Sequence, residues 1–391
     1  MKSVKSKLWS CVRFAGTGAL LAITVACAPE PPTLSPPSQA EVRRDLTSVV
    51  DDREIVALVS TEEAAGRLET RVTARGYQVL ARERLGALGM TQFVLGLPPD
   101  QTPLGAIAEI EALERSATAG VNHAYTLQAE SGSAREYAGA LMEWPEGGCV
   151  ALTAVGVIDG ALDPSTPALS GTRVVQEDFT GGNALAAEHG TAIAALIGGE
   201  GRLTGATLYS AAVVGRGGDA VAGVDAMTRA MDWLAANDVW LVNVSLAGPY
   251  NKILDRAIQA AGDRGMVLVA AVGNSGPGTA PRYPAAFSQA IGVTAVDAAE
   301  GPYARAPEGS HIDFAAPGVD VFVPTGAGYM SGTSIAAPFV TAMIAAEPGL
   351  AGGGSASALR RGLAQSSRDL GPEGRDEIYG YGLPQTGGGC G

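Results

Sequence analysis

Short apolar runs alternate with amphipathic stretches through the C-terminal two thirds of the chain. Near-continuous apolar segments predict strands at 152–158, 206–214, 240–246, 267–273 and 290–296, and helical periodicity predicts helices at 219–236, 251–264 and 333–346. Apolar strands separated by helices are typical of a mostly parallel sheet covered on both faces. We therefore expect a doubly wound α/β domain over 151–383, with its functional residues at the carboxyl ends of the strands.

A second alternation precedes this domain. Strands are predicted at 54–59, 77–80, 91–95 and 122–127, with helices at 61–75 and 103–116. The order βαββαβ is that of a small ferredoxin-like α+β domain, which we place at 50–128. Residues 129–150 combine Gly, Ser, Pro and mixed charge, so we expect them to connect the two domains and to contain a processing point.

The N-terminus is predicted to direct export. Basic residues precede an apolar stretch over 18–26 that is too short to span a bilayer, so 1–27 is interpreted as a signal peptide. The run Thr24-Val25-Ala26-Cys27 looks like a bacterial lipobox with Cys27 as the lipidated residue, although Thr24 stands where an aliphatic residue is usual. Ordinary cleavage at Ala26-Cys27-Ala28 is the alternative. The protein is thus expected to be exported, as a cell-envelope lipoprotein attached to the membrane or as a secreted protein.

Composition adds limits on partners and crosslinks. The chain of 391 residues carries a formal net charge of -13 and no long basic run after its first residues, which argues against a nucleic-acid partner. A proline-rich linker is expected at 28–49 and a Gly-rich tail at 384–391. Outside the signal, the remaining cysteines are Cys149 and Cys390. They form either a disulfide that closes a long loop or two unpaired thiols, and the sequence leaves both interpretations open.

Three residues have the types and positions that nucleophilic acyl transfer requires. Asp159 closes the apolar run 154–158, His189 is followed by small residues, and Ser334 stands at the start of a predicted helix. Of the other histidines, His123 belongs to the N-terminal domain and His311 to a loop or strand edge. His189 is therefore the predicted base, and the chain order Asp, His, Ser is one of the known orders for such a triad.

The run Ser331-Gly332-Thr333-Ser334-Ile335-Ala336-Ala337-Pro338 resembles the nucleophile segment of the subtilisin-like (S8) serine peptidases. The resemblance implies a subtilisin-like catalytic domain in which Ser334 is the nucleophile, His189 the base and Asp159 the acid. It also implies that Asn274 donates to the oxyanion and that Pro338 lies in the first turn of its helix. The substrate-binding residues that it implies are Ser245, Leu246, Ala247 and Gly273.

Several positions depart from the family pattern. Ile335 stands where Met is common, Gly160 where Thr or Ser follows the acid, and Ala192 where a second His is usual. None of these removes a catalytic group. Ala247 replaces a usual Gly, and its methyl group is expected to narrow the first specificity pocket or to tilt the strand.

The N-terminal domain resembles the inhibitor-type propeptide of the same family. This implies a precursor, or zymogen, whose own propeptide blocks the cleft and is cut off by the enzyme, between about Gln128 and Trp144. The expected partners are protein or peptide substrates and this propeptide. No cofactor and no metal site is predicted.

Other functions are less well supported. Residues 215–220 match a loose dinucleotide fingerprint without the expected acidic residue, and 383–387 imitates a sortase signal. The nucleophile elbow of α/β-hydrolases and the H-E-x-x-H zinc motif do not occur in the chain. The main alternative is a catalytically silent envelope protein that uses a subtilisin-like domain to bind a partner.

Overall fold

The computed structural model describes residues 49–127, 130–132, 137–184, 188–215, 221–387 and 390, all within one compact unit. The predicted signal peptide, the lipidation candidate Cys27 and all but the last residue of the proline-rich linker lie outside the described residues. Across the ranges given above, no helix combines the length and the apolar character that a membrane crossing requires.

The N-terminal domain is a four-stranded antiparallel sheet with two helices. Its elements are β1 (Glu54–Val59), α1 (Glu62–Thr73), β2 (Gln78–Leu85), β3 (Met90–Gly96), α2 (Pro103–Leu113) and β4 (Thr118–Val121). The strand order β2-β3-β1-β4 confirms the ferredoxin-like topology. Both helices begin at a threonine cap: the hydroxyl oxygens of Thr61 and Thr102 accept from main-chain N–H groups three residues later, which satisfies donors that a helix start leaves unpaired.

The last strand of this sheet differs from the prediction. The structure places it at Thr118–Val121, whereas the sequence predicted 122–127. Ala119 and Val121 turn inward to the apolar core of the domain, while Asn122 hydrogen-bonds to Asp225 of the second domain. The following strand, β5 (Ala124–Leu127), pairs with strands of the second domain and not with β1 to β4.

The second domain contains a seven-stranded parallel sheet. Its strands are β8 (Val155–Asp159), β9 (Arg173–Asp178), β11 (Thr207–Ala212), β13 (Leu241–Val244), β15 (Val267–Ala271), β16 (Ala290–Val296) and β17 (Phe314–Pro317). They lie in the order β17-β16-β15-β13-β8-β11-β9, and every neighbouring pair is parallel. The strands β8, β13, β15 and β16 are buried at every position, as expected for a sheet that is covered on both faces.

Helices pack on both faces of this sheet. They are α3 (Ala138–Leu141), α4 (Glu188–Gly198), α5 (Val224–Ala236), α6 (Lys252–Gly262), α7 (Thr333–Ala346) and α8 (Ala356–Ser366), with a 3₁₀ turn at Pro167–Leu169. The helices α4, α7 and α8 contribute to one apolar cluster, and α5 and α6 contribute to the other. The fold is therefore the doubly wound α/β architecture that the alternation of strands and helices predicted.

Short strands complete the domain. They are β6 (Glu130–Gly132), β7 (Cys149–Val150), β10 (Leu203–Thr204), β12 (Val221–Gly223), β14 (Leu246–Ala247), β18 (Val321–Val323), β19 (Gly328–Ser331), β20 (Ser367–Arg368) and β21 (Leu383–Pro384). The helix predicted at 219–236 begins only at Val224, because β12 pairs with β5 and is held extended. Periodicity within a window does not reveal such a pairing between distant segments.

The two ends of the second domain are joined. Cys149 and Cys390 form a disulfide with their Cα atoms 5.5 Å apart, across 241 positions of sequence. Beside the disulfide, the N–H of Thr386 donates to the Met142 carbonyl at 3.1 Å. The residues around 384–387, predicted as the start of a tail, are thus packed against residues of the predicted connector at 129–150.

Candidate active site

Asp159, His189 and Ser334 meet at the carboxyl edge of the sheet. Asp159 is the last residue of β8, His189 lies in the first turn of α4 and Ser334 in the first turn of α7. The Nδ1 atom of His189 lies 2.7 Å from Oδ1 of Asp159, and Nε2 lies 3.2 Å from Oγ of Ser334. These contacts form a continuous path along which a proton on Ser334 can pass to His189 while Asp159 orients the ring.

The main chain at the start of α4 lies very close to the main chain that follows β8. A Cβ atom on Gly190 would lie 2.5 Å from the carbonyl oxygens of both Gly160 and Ala161. Only glycine fits between these carbonyls, so the first turn of α4 can lie directly beside the end of β8. This contact sets the position of His189 relative to Asp159.

The carboxylate of Asp159 is fully buried. Its Oδ1 atom accepts from His189 and also from the N–H of Gly160 at 2.7 Å, whereas Oδ2 has no hydrogen-bond partner among the described residues. Gly160, which occupies the position where the family usually has Thr or Ser, has no side chain that could donate to Oδ2. The acid is therefore held through one of its two oxygens.

The nucleophile helix contains a proline deeper than predicted. Pro338 lies in the second turn of α7 and not in the first. Because proline has no N–H, the carbonyl of Ser334 lacks the helical donor it would otherwise have at position 338. The hydroxyl of Ser245 donates to this carbonyl at 3.3 Å instead. The tertiary contact makes the second-turn proline acceptable.

Asn274 lies in the loop after β15 and is oriented by Thr333. Its Oδ1 accepts from the N–H and from the hydroxyl of Thr333, each at 3.1 Å. The Thr333 hydroxyl also accepts from Gly273 N–H at 3.0 Å. Since these bonds engage the acceptor end of the Asn274 amide, its donor end, Nδ2, is turned away from Thr333. Sequence reasoning assigned no role to Thr333; a hydroxyl residue directly before the nucleophile was the available signal.

A segment of the chain itself runs between β12 and β14, and we call this position the groove. It lies beside Ser334, because Ser245, the residue before β14, hydrogen-bonds to the Ser334 carbonyl. Strand β5 lies between β12 and β14, antiparallel to both, so that Thr126 is opposite Ala247 and Leu127 is opposite Leu246. On the other side of the site, β6 pairs antiparallel with β19, with Glu130 opposite Ser331. Extended chain is therefore paired on both sides of the candidate nucleophile. Of the substrate-binding candidates, Leu246 and Ala247 make main-chain pairs with this chain, whereas the Ser245 side chain is fully buried.

One side chain of β5 is enclosed by the groove. Tyr125 is fully buried, and its hydroxyl donates to the carbonyl of Pro249 at 3.1 Å. The N-terminal domain adds contacts to α5 and the start of α6. Asp232 accepts from the N–H of Leu88 at 2.8 Å, and Asn251 contacts both the Val121 carbonyl and the ring of His123.

The two other histidines lie away from this site. His123 is buried against Asn251 at 2.9 Å. His311 is also buried, and neither of its ring nitrogens has a hydrogen-bond partner within the described ranges. Burial, aided by the nearby charge of Arg375, lowers the pKa of His311 to about 4. The geometry thus singles out His189 among the three as the partner of Ser334.

The motifs that suggested other functions have structural roles or lie largely outside the described residues. The residues 383–387 that imitate a sortase signal begin with β21, which pairs with β20, and Leu383 is fully buried. Of the glycine-rich run 215–220, only Gly215 is described. Within the described part of the chain, no cluster of three or more His, Cys, Asp or Glu could hold a metal ion.

Known proteins resemble this chain over the second domain. A sequence model of the subtilase family (Peptidase_S8) matches residues 152–382. The chain is 32% identical to the minor extracellular protease Epr of Bacillus subtilis over 212 residues, which are 50% of this chain and 32% of Epr. It is 34% identical to subtilisin Savinase of Lederbergia lenta over 182 residues, which are 46% of this chain and 65% of that protein.

A solved structure resembles the fold. The structure superposes on fervidolysin from Fervidobacterium pennivorans, a keratinolytic enzyme related to subtilisin, with a TM-score of 0.68 and 20% sequence identity, covering 86% of this chain and 60% of fervidolysin. The matched regions cover 32% of Epr, 65% of Savinase and 60% of fervidolysin, so the chain spans less than two thirds of the length of each. Since the family model covers more than half of the chain and includes Asp159, His189, Asn274 and Ser334, this protein belongs to the subtilase family.

Proposed function

We propose that this protein is a serine endopeptidase that is made as a self-inhibited precursor. The observation that carries the proposal is the line of contacts from Asp159 through His189 to Ser334, at 2.7 and 3.2 Å. A serine hydroxyl is a weak nucleophile unless a base removes its proton, and the third group keeps that base in the required orientation. The extracellular protease Epr among the relatives supports both the activity and export.

In the proposed reaction, Ser334 Oγ attacks the carbonyl carbon of the scissile peptide bond while Nε2 of His189 takes the hydroxyl proton. The buried carboxylate of Asp159 stabilises the imidazolium that forms. When the tetrahedral intermediate collapses, the C–N bond breaks and His189 gives the proton to the leaving amine. Water then attacks the acyl-enzyme by the same route, and no cofactor is required.

Negative charge develops on the carbonyl oxygen during each attack. Asn274 Nδ2 is proposed to donate to this oxygen, because Thr333 engages the other end of the amide. Ser334 lies in the first turn of α7, where main-chain N–H groups and the helix dipole favour negative charge. Such preorganised donors need no rearrangement when the charge appears.

The precursor is proposed to inhibit itself through its own chain. The domain at 50–128 rests on α5 and the start of α6, and its last strand, β5, fills the groove between β12 and β14. Because pairing resumes at β6 on the far side of Ser334, the bond to be cut lies between Leu127 and Glu130. We therefore propose self-cleavage at the beginning of the interval 128–144 that the sequence predicted. Because Gln128 directly follows Leu127 in the sequence, we infer that it is the residue immediately before the scissile bond.

Two measurements test the proposal. A fluorophosphonate probe should label Ser334 in the self-processed wild-type protein, and should not label Ser334→Ala. Intact-mass analysis of the two full-length proteins should show a cut near Gln128 in wild type only. Identical processing in both would contradict self-cleavage. An unlabelled, correctly folded wild type would favour the silent envelope binding protein.

The lipid anchor is a separate part of the proposal. Export as a lipoprotein through Cys27, with secretion as the alternative, rests on the N-terminal sequence alone. Mass spectrometry of the mature N-terminus tests it, since a diacylglyceryl group on Cys27 is expected for the lipoprotein and a free amino terminus for the secreted form.

A further inference from the structure

Arg282 borders the groove where β14 lies beside the loop that carries Asn274. A Cβ atom placed on Gly273 would lie 3.1 Å from Cγ of Arg282 and 3.5 Å from Cβ of Ala247. Gly273 directly precedes Asn274, and Ala247 pairs with Thr126 of the bound chain. The stem of Arg282 therefore lies beside two of the predicted substrate-binding residues.

The position of this arginine is held by the main chain. Tyr283, the next residue, exchanges two backbone hydrogen bonds with Gly248, at 2.8 and 2.9 Å. Gly248 directly follows β14, which pairs with the chain in the groove. The segment that carries Arg282 is thus hydrogen-bonded to the end of β14.

The charge of Arg282 is not neutralised within the described part of the chain. Its side chain is partly buried, yet the ion pairs and side-chain hydrogen bonds found among the described residues do not include its guanidinium. Arg360, by contrast, donates to Asp313 at 2.7 Å, and Arg368 lies 2.7 Å from Glu300. A partly desolvated guanidinium without an internal acceptor is suited to a carboxylate supplied by a ligand.

We propose that Arg282 determines specificity for an acidic side chain immediately before the scissile bond. This inference rests on the proposed endopeptidase function. In the proposed reaction, the carbonyl of the residue before that bond lies between Ser334 and Asn274. Its side chain would then begin beside Gly273, where the Arg282 stem lies. The substrate class is therefore polypeptides that are cut after a glutamate or an aspartate, with the guanidinium of Arg282 donating to the carboxylate.

The residue that we propose to precede the cut in the precursor, Gln128, should bind Arg282 more weakly than a glutamate would. Gln128 has the shape of glutamate without its charge. Its amide oxygen can accept from a guanidinium, but a neutral acceptor forms a weaker bond than a carboxylate. The propeptide would therefore be recognised and cut more slowly than a glutamate-containing substrate.

Peptide hydrolysis by the self-processed protein tests the proposal. Four peptides carry the sequence of residues 124–132, with Glu, Gln, Leu or Lys at the position of Gln128. We expect kcat/KM for the Glu peptide to exceed that for the Gln peptide by about 10- to 100-fold. In Arg282→Gln this ratio should fall to about 1, and Arg282→Glu should favour the Lys peptide. Arg361→Gln, a change on the exposed face of α8, is the matched control and should keep the wild-type ratio.

The full-length chain supplies a second readout. Gln128→Glu should speed self-processing by a similar factor, and Arg282→Gln should abolish that gain. If Ser334 is labelled by fluorophosphonate but the Glu and Gln peptides are cut equally, the specificity inference is wrong and the endopeptidase function stands. A preference for small side chains that persists in Arg282→Gln would also overturn it. If no peptide is cut and Ser334 is not labelled, both proposals fail.

Discussion

The hydroxyl of Ser245 donates to the main-chain carbonyl of Ser334 at 3.3 Å, in the place of the helical N–H that Pro338 lacks. Asn243 donates to the same hydroxyl at 2.9 Å and fixes its orientation. The backbone of the candidate nucleophile is thus supported by the residue that joins β13 and β14.

This relationship predicts a coupled pair of variants. Ser245→Ala should destabilise the fold by about 1–3 kcal/mol and lower kcat, because it leaves a buried carbonyl without its donor. Adding Pro338→Ala restores a helical N–H and should recover part of both losses. Chemical unfolding and peptide kinetics of the single and double variants measure the coupling, and strictly additive effects would count against it.

Thr333 is predicted to act through Asn274. Thr333→Val removes the hydroxyl that bonds to Asn274 and Gly273, and should lower kcat by about 10-fold with little change in KM. Asn274→Leu should lower kcat further, by about 10²- to 10³-fold, which is the magnitude measured for such a donor in subtilisin. Thr333→Ser retains the hydroxyl and should behave like wild type. A higher KM with an unchanged kcat would argue against a role of Thr333 in charge stabilisation.

The unpartnered oxygen of Asp159 predicts that a donor can be added. A Cβ on Gly160 meets no atom within 4 Å outside its chain neighbours, so the Cβ of Gly160→Ser fits without a clash, and its hydroxyl is expected to donate to the carboxylate of Asp159. We expect the free energy of unfolding to rise by about 1 kcal/mol, measured in urea on the full-length Ser334→Ala background. Gly160→Ala is the matched control, since it adds the methylene carbon without the hydroxyl. Equal effects of the two would exclude a hydrogen bond to Asp159.

His311 predicts a loss of stability in acid. Its pKa in the folded protein is about 4, below the 6.5 of a free histidine, so the unfolded chain binds more protons between these values. Stability that is fully present above pH 6.5 should therefore decline as the pH falls towards 4, by up to about 3 kcal/mol from this residue. His311→Leu should flatten that part of the curve. The comparison is made by urea unfolding at pH 4.5 and 7.5, with and without His311→Leu in the Ser334→Ala protein. If His311→Leu leaves the difference in free energy of unfolding between the two pH values unchanged, the prediction is wrong.

The disulfide predicts sensitivity to reduction. Breaking the bond between Cys149 and Cys390, which spans 241 positions, should lower the free energy of unfolding by about 2–4 kcal/mol. The Cys149→Ser/Cys390→Ser protein should unfold at lower temperature than wild type and should no longer respond to dithiothreitol. Equal melting temperatures with and without the reductant in wild type would show that the bond contributes nothing.

Much of the architecture followed from local patterns. The strand at 290–296 and the helix at 333–346 have the predicted bounds, because each is a nearly continuous apolar run of the length typical of its element. The predictions failed where a distant partner decides the structure. The strands Ala124–Leu127 and Val221–Gly223 could not be assigned from periodicity, since their pairing partners are far away in sequence.

The candidate site divides in the same way. The doubly wound domain and the residue types of a serine peptidase site could be predicted from the sequence, because composition and spacing around Asp159, His189 and Ser334 are local properties. The sequence could not show that Thr333 orients Asn274, that Ser245 replaces the N–H missing at Pro338 or that Arg282 borders the groove. Each of these depends on a contact between residues far apart in the chain, and such contacts are set by how the strands and helices pack.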